Sequence, residues 1–143
     1  MMSWKRLFRR TEPSSPRYGT SQDDPILCGG GPPGERAYLE RIRCPSGSVV
    51  RYERLCSLST TKVAFLRKPG VSVDLGARMS SRREAAFTDP AEVALDEYLL
   101  VCVCGRHRLK VFFDMYHRGQ EAPIGEDGWT LAPRTDTEAH SDA

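Results

Sequence analysis

The most regular alternation of apolar and polar residues lies between residues 97 and 116, on either side of Gly105-Arg106. A glycine at the first position of a two-residue connection suits a type II′ turn between antiparallel strands. With strands at 97–104 and 107–116, one face of the hairpin is continuously apolar, and a shift by one residue would bury charges. The facing pairs predicted on the apolar side are Cys102 with Leu109, Leu100 with Val111 and Tyr98 with Phe113.

Another hairpin is predicted around the Cys-Pro-Ser-Gly turn at 44–47, because proline and glycine interrupt two runs rich in Val, Ile, Tyr and Leu. These runs are residues 37–43 and 48–55. Both faces of the hairpin are mixed, so the pattern does not indicate which side is buried. The expected pairs are Ile42 with Val49, Glu40 with Arg51, Tyr38 with Glu53, Arg41 with Val50 and Leu39 with Tyr52.

Shorter elements are predicted between the two hairpins. Residues 63–66 and 71–75 have the character of short strands separated by a Pro-Gly dipeptide. The Asp-Pro-Ala-Glu segment at 89–92 has an N-cap aspartate, a proline at the first helical position and a glutamate at the third. A short helix is therefore expected to begin there and to end near Asp96, while residues 80–87 are either helical or irregular. The predicted fold class is mainly β or α+β, with two antiparallel hairpins in one small sheet and this short helix.

Composition limits how much of the chain can pack. Hydrophobic residues make up 39% of the 143 residues, which is low for a globular chain. The segment before the first apolar run is rich in Pro, Ser and charged residues, so its burial would not offset the entropy lost on ordering. We expect a basic head and disordered linker at 1–24, a single folded domain at 25–119, and an acidic, mostly disordered tail at 120–143 in which Trp129 and Leu131 can pack onto the domain.

Charge is distributed unevenly along the chain. Residues 1–17 contain five basic residues and one acidic residue, and residues 121–143 contain six acidic residues and one basic residue. The whole chain has a net charge of +2 and a pI of about 8.3, below the pI above about 9 that is typical of nucleic-acid-binding domains. Acids at Glu40, Glu53 and Asp74 interrupt the basic residues of the middle region. This pattern favours an ordinary solvated surface over a nucleic-acid site.

The sequence also bears on compartment and cysteine chemistry. No apolar stretch of about 7–15 residues follows the first residues, as a secretory signal requires, and no run approaches the roughly 20 apolar residues of a transmembrane helix. A cytoplasmic protein is therefore expected, whose cysteines are thiols or metal ligands and not disulfides. The five cysteines are Cys28, Cys44, Cys56, Cys102 and Cys104.

A zinc site is one prediction from these cysteines. The predicted register places Cys104 across from His107, and Cys44 lies in the other predicted turn. Thiolate and imidazole donors make up structural zinc sites. The turn at 44–47 resembles half of a zinc-ribbon knuckle in degenerate form, because Ser46 stands where the second cysteine of that motif would be. The predicted ligands are Cys28, Cys44, Cys104 and His107.

Cys102 is left out of this ligand set. Zinc knuckles normally pair cysteines at C-x-x-C spacing, whereas Cys102 and Cys104 are two residues apart on one strand, where their sulfurs would diverge. This spacing is a weakness of the zinc prediction, and the alternative is that Cys102 is a buried core thiol and that Cys104 and His107 are turn residues. A thiol enzyme using Cys104 and His107 is an alternative, and it expects a lowered pKa at Cys104. No orienting third residue can be placed, so no catalytic set is predicted.

Two other candidate motifs give weaker indications of function. The glycine-rich segment at 29–34 lacks the Gly-Lys-Ser/Thr of a phosphate loop and contains two prolines, so it is predicted as a stiff connection. Asp114 and His117 could act together only if the last strand breaks between them.

The N-terminal head has its own pattern, in which apolar and basic side chains share one short segment. On a helix this combination suits an anionic membrane surface or an acidic partner, including the chain's own tail. The residues concerned are Trp4, Lys5, Arg6, Leu7, Phe8, Arg9 and Arg10.

Three functional predictions follow from the sequence. The leading one is a non-catalytic binding or adaptor module with an unidentified protein partner, because no complete catalytic motif is present and both ends are charged. The alternatives are a zinc-stabilised domain that contacts nucleic acid and the thiol-dependent enzyme.

Overall fold

The computed structural model describes residues 15–80 and 93–134. Most of the regular structure in this part of the chain is strand, in agreement with the mainly β, α+β class predicted. The helices are α1 (Gly31–Arg41), a 3₁₀-helix (Ala64–Arg67) and α2 (Leu75–Ser80). The strands are β1 (Ile26–Leu27), β2 (Ile42–Arg43), β3 (Val50–Thr60), β4 (Ser72–Val73), β5 (Val93–Cys102), β6 (Arg108–Asp114), β7 (His117–Arg118) and β8 (Thr130–Leu131).

The main sheet has four strands in the order β1-β6-β5-β3. β1 runs parallel to β6, and the other two pairs are antiparallel. The longest pairing joins β3 to β5, and a bulge interrupts it between Arg54 and Cys56. Two small two-stranded sheets join β2 to β8 and β4 to β7. β3 is therefore a long edge strand, whereas the edge at β1 is only two residues long.

The hairpin predicted between residues 97 and 116 is present as β5 and β6. Its observed register differs from the predicted register by two residues. Leu100 faces Leu109 and not Val111. The connection is longer than two residues, because the backbone N–H of Cys102 donates to the carbonyl of His107 at 3.0 Å. A shift of two residues keeps every side chain on its predicted face. The buried side chains of that face are Tyr98, Leu100, Cys102, Val111 and Phe113.

The prediction of a hairpin around the 44–47 turn is wrong. Residues 37–41 belong to α1, and β3 pairs with β5 instead. What remains of the hairpin is the turn itself, with an isolated bridge between Arg43 and Val49. Two prolines fall in the first turn of α1, where the missing N–H costs no helical hydrogen bond. The helical i, i+3, i+4, i+7 spacing links four buried residues, Glu35, Tyr38, Leu39 and, just beyond the helix end, Ile42.

Predictions for the segments between the hairpins also need correction. The strand expected at 63–66 is a 3₁₀-helix that buries Phe65, because one turn of helix brings this ring onto the sheet. Within 71–75 a two-residue strand is present, and α2 begins at the end of that range.

The helix expected to end near Asp96 is wrong over its described part. β5 already begins at Val93, and its first residues are buried on both sides of the sheet, which the alternation of a strand allows and a surface helix does not. The predicted helix start at 89–92 lies outside the described residues.

The sheet is covered on both faces at its centre. On one face α1 packs Tyr38 and Leu39 against Tyr98, Leu100 and the rest of the largest core cluster. On the other face, the 3₁₀-helix forms a second cluster around Phe65. In the described part of the chain, no helix is long and apolar enough to span a membrane.

Segments predicted as linker and tail contribute to this core. In residues 15–24, Tyr18 is only 4% exposed and its hydroxyl oxygen accepts a hydrogen bond from the N–H of Leu27 at 3.1 Å. From the tail, Trp129 is buried as expected, and Ile124 packs in the same cluster. The basic head at residues 4–10 lies outside the described residues. The division into head, single domain and tail stays a prediction.

Candidate metal centre

Three cysteines meet where two turns of the chain approach each other. Cys102 ends β5, Cys104 lies in the loop between β5 and β6, and Cys44 opens the turn after β2. The two turns are joined by a backbone hydrogen bond from Val103 N–H to the carbonyl of Val49 at 3.0 Å. The 44–47 turn is closed by its own bond from the N–H of Gly47 to the carbonyl of Cys44. Backbone hydrogen bonds, together with core packing of Cys44 and Cys102, thus bring together cysteines that are about 60 residues apart in sequence.

The sulfur atoms of this cluster all lie within 4.8 Å of one another. The Sγ atoms of Cys44 and Cys104 are 3.9 Å apart, and those of Cys102 and Cys104 are 2.6 Å apart. All three cysteines are free thiols. Cys44 and Cys102 are buried, whereas Cys104 is exposed. The cluster therefore has two sulfurs fixed in the core and a third on a loop that solvent can reach.

The thiols influence each other's protonation. Burial raises the pKa of Cys102, but hydrogen bonds with the Cys104 thiol and with the backbone N–H groups of His107 and Arg106 lower it to about 7. The pKa of Cys104 is raised, chiefly by its hydrogen bond with Cys102. At neutral pH a substantial fraction of Cys102 is therefore in the thiolate form, while Cys104 stays protonated. A thiolate, and not a thiol, is the species that binds metals and attacks electrophiles.

The cluster overlaps the predicted ligand set in part. Cys44 and Cys104 are brought together as expected. Cys28 lies elsewhere, after β1, where its thiol is 3.9 Å from the carbonyl oxygen of Asp114. Burial raises the pKa of the Cys28 thiol well above its ordinary value, and the nearby carboxylates of Glu35 and Asp114 raise it further. Cys28 is therefore a neutral thiol at the far end of the hairpin and takes no part in the cluster.

His107 lies beside the cluster. Its backbone N–H donates to the Sγ of Cys102 at 3.2 Å. Its imidazole Nε2 is 3.3 Å from the hydroxyl of Ser46, and its ring contacts Trp129 edge-on with centroids 6.4 Å apart. The ring thus bridges the loop that carries Cys104 and the turn that carries Cys44.

Cys102 is the member of the cluster that the sequence prediction left out. The prediction placed Cys102 and Cys104 on one strand, where side chains two residues apart stand side by side and do not converge. β5 ends at Cys102, and the loop beyond it turns Cys104 back over the strand end. The N–H of Gly105 donating to the carbonyl of Cys102 at 2.9 Å fixes this turn. Gly105 has φ of 76°, a left-handed conformation that favours glycine.

A separate polar network is buried under α1. The side chain of Glu35 is 2% exposed, and its Oε1 accepts a hydrogen bond from the hydroxyl of Tyr98 at 3.0 Å. Among the described residues, its Oε2 has no hydrogen-bond partner. Burial, together with the neighbouring carboxylate of Asp96, raises the pKa of Glu35 to about 9. Asp96 in turn accepts hydrogen bonds from Arg54 at 2.9 Å and from Ser57 at 2.7 Å. Glu35 is thus protonated at neutral pH, while Asp96 is paired with a cation.

Asp114 and His117 meet because the chain leaves β6 between them. Asp114 is fully buried, and its Oδ1 accepts hydrogen bonds from the N–H groups of Tyr116 and His117. Its Oδ2 is 2.8 Å from Nδ1 of His117. This is the strand break that the sequence prediction required for the two side chains to act together. The carboxylate here organises the turn from β6 to β7, which is a structural role.

A cavity of about 370 Å³ lies between α1 and the segment that follows β7. Its charged lining residues are partly paired with carboxylates. The guanidinium of Arg41 donates to both carboxylate oxygens of Glu121, at 2.9 and 2.6 Å, and Arg118 pairs with Asp74 at 3.3 Å. The cavity lining therefore keeps a net positive charge, since Arg134 shares Glu121 with Arg41 and Arg118 is paired only with Asp74.

The chain matches no protein-family model, no curated protein and no solved structure.

Proposed function

We propose that this chain is a small non-catalytic module whose β domain is fastened by a zinc ion on the thiolates of Cys44, Cys102 and Cys104. The convergence of three sulfurs from two distant segments within 4.8 Å supports this proposal. Structural zinc sites are built from cysteine and histidine donors in tetrahedral geometry. Soft thiolate ligands favour zinc over magnesium or calcium, which prefer oxygen donors.

The distances suit a tetrahedral ion after a small adjustment. A Zn–S distance of about 2.3 Å implies about 3.8 Å between two sulfurs bound to the same zinc. The Sγ atoms of Cys44 and Cys104 already have this spacing, at 3.9 Å. The 2.6 Å between Cys102 and Cys104 has to widen by about 1 Å. Cys104 can make this movement because it is exposed on a loop, whereas the other two sulfurs are buried.

His107 is the proposed fourth ligand. Its imidazole lies between the two turns, with Nε2 3.3 Å from the Ser46 hydroxyl, and it would have to turn away from Ser46 to reach the ion. The N–H of His107 already donates to Cys102 Sγ. Such N–H to sulfur bonds stabilise the thiolate form that a metal needs.

The ion would act as a structural clamp in this module. It would tie the 44–47 turn to the loop between β5 and β6, two connections with few apolar side chains of their own. Metal binding of this kind contributes directly to folding free energy. The role is compatible with a binding or adaptor module, since no complete catalytic set is assembled at the cluster.

The proposal is tested by metal content and by thermal stability. Protein purified under reducing conditions is expected to contain about one zinc per chain, and a strong chelator is expected to lower its melting temperature. Cys44→Ser, Cys102→Ser and Cys104→Ser should each remove the zinc. Cys56→Ser is the matched control, because Cys56 is exposed on β3 with its thiol 3.2 Å from Glu97, away from the cluster. His107→Ala should weaken zinc affinity at least tenfold while keeping a three-sulfur spectrum with cobalt(II).

A metal-free protein whose melting temperature ignores the chelator would refute the zinc clamp. If mass spectrometry then found a Cys102–Cys104 disulfide after treatment with glutathione disulfide, the cluster would instead be a redox dithiol. In that reaction the two thiols lose two protons and two electrons, and glutathione disulfide is reduced to two glutathione thiols. The low pKa of Cys102 favours that chemistry at the same site.

A further inference from the structure

One face of α1 forms a wall of the cavity that lies between this helix and the segment after β7. The wall residues recur at helical spacing and are Pro33, Gly34, Ala37, Tyr38 and Arg41. At a rise of about 1.5 Å per residue the wall is about 12 Å long. The cavity volume of about 370 Å³ is at the lower end of the roughly 300–1,000 Å³ of small-molecule sites. The cavity is therefore sized for a small molecule.

Part of the lining is apolar. Leu27, Ala37 and the ring of Tyr38 contribute carbon atoms to it. The Tyr38 hydroxyl already donates to the carbonyl of Ala122 at 2.6 Å, so it has no proton left for a ligand. Small-molecule sites combine such apolar walls with a few polar groups that fix orientation. This part of the cavity suits the hydrocarbon body of a ligand.

The charges of the lining are unequal. Its described residues include three arginines and a single acidic residue, Glu121. Arg118 is matched by Asp74 at 3.3 Å. Arg41 and Arg134 share the carboxylate of Glu121, at distances of 2.6 to 3.2 Å. Hydrogen bonds from Arg41 lower the pKa of Glu121, so this carboxylate is ionised at neutral pH. Two cations against one anion leave one positive charge at this end of the cavity.

The other titratable groups of the lining do not cancel this charge. Burial raises the pKa of Cys28 and of Tyr18, so both are neutral at neutral pH. The Tyr18 hydroxyl oxygen accepts the N–H of Leu27, and its own proton has no hydrogen-bond acceptor within residues 15–80 and 93–134. Tyr18 therefore adds a neutral O–H donor to the cationic groups, and an oxygen of a ligand can accept it.

We propose that this cavity binds a small monocarboxylate with an apolar body, whose carboxylate lies beside Arg134 and Arg41 and whose hydrocarbon part lies along α1. A guanidinium group can bind a carboxylate through two parallel hydrogen bonds. One negative charge neutralises the single excess positive charge, whereas a phosphate group, at about −1.5 to −2 near neutral pH, would exceed it. None of the proposed zinc ligands lines the cavity, so this site does not depend on the zinc proposal.

The test is isothermal titration calorimetry of the intact protein with octanoate and with phenylpropanoate. At least one is expected to bind with a dissociation constant below about 1 mM. Arg134→Gln should weaken binding about tenfold, because it removes the cation in excess. Glu121→Gln should tighten binding about tenfold, because it removes the carboxylate that competes with the ligand. Arg36→Gln is the matched control, since Arg36 is exposed on α1 outside the lining, and should bind as the wild type does.

Nuclear magnetic resonance locates the bound acid. The backbone amide signals of Gly30, Gly34 and Gly119, which line the cavity, should shift as the acid is added. Ala37→Leu should weaken binding at least tenfold, because the larger side chain occupies part of the cavity. The uncharged alcohol octanol should bind at least tenfold more weakly than octanoate, since it lacks the group that the arginines bind.

Three results would overturn the proposal. One is that neither acid binds below about 10 mM. Another is that Arg134→Gln and Glu121→Gln bind the acids with the affinity of the wild type, which would place the bound acid elsewhere. The third is that octyl phosphate binds more tightly than octanoate, which would assign the cavity to phosphate esters. Zinc content and its response to a chelator are measured separately, so these failures would leave the zinc proposal standing.

Discussion

Glu35 is a buried carboxylic acid at a position where ionisation costs free energy. It extends from α1 onto the sheet. Its carboxyl group accepts a hydrogen bond from the hydroxyl of Tyr98 and lies near the carboxylate of Asp96. Ionised, it would be a second negative charge beside Asp96 in a region closed to water. The neutral acid avoids this repulsion and keeps the bond from Tyr98.

The pH dependence of stability follows from this proton. The pKa of Glu35 is about 9 in the folded chain against a usual value of 4.5. Between these values the folded state holds a proton that the unfolded state has released, so the free energy of unfolding falls as pH rises. The slope is at most about 1.4 kcal/mol per pH unit. Glu35→Gln removes this slope, because an amide does not titrate.

Denaturant unfolding at pH 6 and pH 9 measures the effect. Wild-type protein is expected to lose stability relative to Glu35→Gln by at most about 4 kcal/mol between these values. Glu40→Gln, an exposed change on the same helix, should follow the wild type. Parallel pH profiles for wild type and Glu35→Gln would show that this proton is not held.

For the cysteines, the sequence predicted that thiols from two turns meet, but not which of the five cysteines form the cluster. The predicted ligand set joins Cys44, which lies in one predicted turn, to Cys104, which ends the strand beside the other turn. Cys102 was excluded because its position was judged on an ideal strand that continued to residue 104. Where a strand ends depends on the loop geometry around Gly105, which alternation alone does not define.

At the level of elements, α1 shows how a helical pattern can be hidden. Its buried face follows the helical period, but the face begins with a glutamate, and the helix opens with the sequence Gly-Pro-Pro-Gly. These residues are typical of loops, so the following apolar residues were assigned to a strand. The hairpin of β5 and β6 was predictable because its alternation is long and consistent. The register of this hairpin was less predictable, since a shift of two residues leaves the same side chains on each face of the hairpin.

The first turn of α1 depends on close backbone packing. A Cβ at Gly34 would overlap the carbonyl oxygen of Gly29, which lies in the preceding loop. Alanine normally stabilises a helix relative to glycine by up to about 1 kcal/mol. Gly34→Ala is nevertheless expected to destabilise the fold by about 1–3 kcal/mol, the range of overpacking substitutions.

Gly76→Ala in α2 is the comparison for this change. A Cβ there would meet its nearest neighbour, Asp74 Oδ1, at an ordinary 3.5 Å. Its stability should equal or exceed that of the wild type. Melting temperatures of the two variants measure the contrast, and similar values for both would contradict the close approach.

At the level of the whole molecule, the packed region extends further towards both ends than composition indicates. The polar, proline-rich segment before residue 25 is predicted to stay outside the core, yet Tyr18 is buried in it, together with Trp129, the tail residue for which packing is expected. Average composition does not reveal a single large aromatic residue that is held by one or two hydrogen bonds. The head and the end of the tail lie outside the described residues, and their roles remain predictions.

Tyr18 provides a test of this extended packing. Tyr18→Ala should lower the free energy of unfolding by about 3–5 kcal/mol, as for other buried aromatic residues. Leu75→Ala, at a side chain that is 64% exposed, should change it by no more than about 0.5 kcal/mol. Urea denaturation of both variants measures the difference. A loss below about 1 kcal/mol for Tyr18→Ala would place residues 15–24 outside the cooperative unit.

The order of strands in the main sheet has a consequence for synthesis on the ribosome. The two outer strands, β1 and β3, are made first, and the inner strands that must join them, β5 and β6, emerge only later. A growing chain therefore contains both outer strands of the sheet, but the inner strands are complete only after translation has passed Asp114. During that interval β3 lacks the partner strand β5, and unpaired strands of this kind are prone to association with other chains.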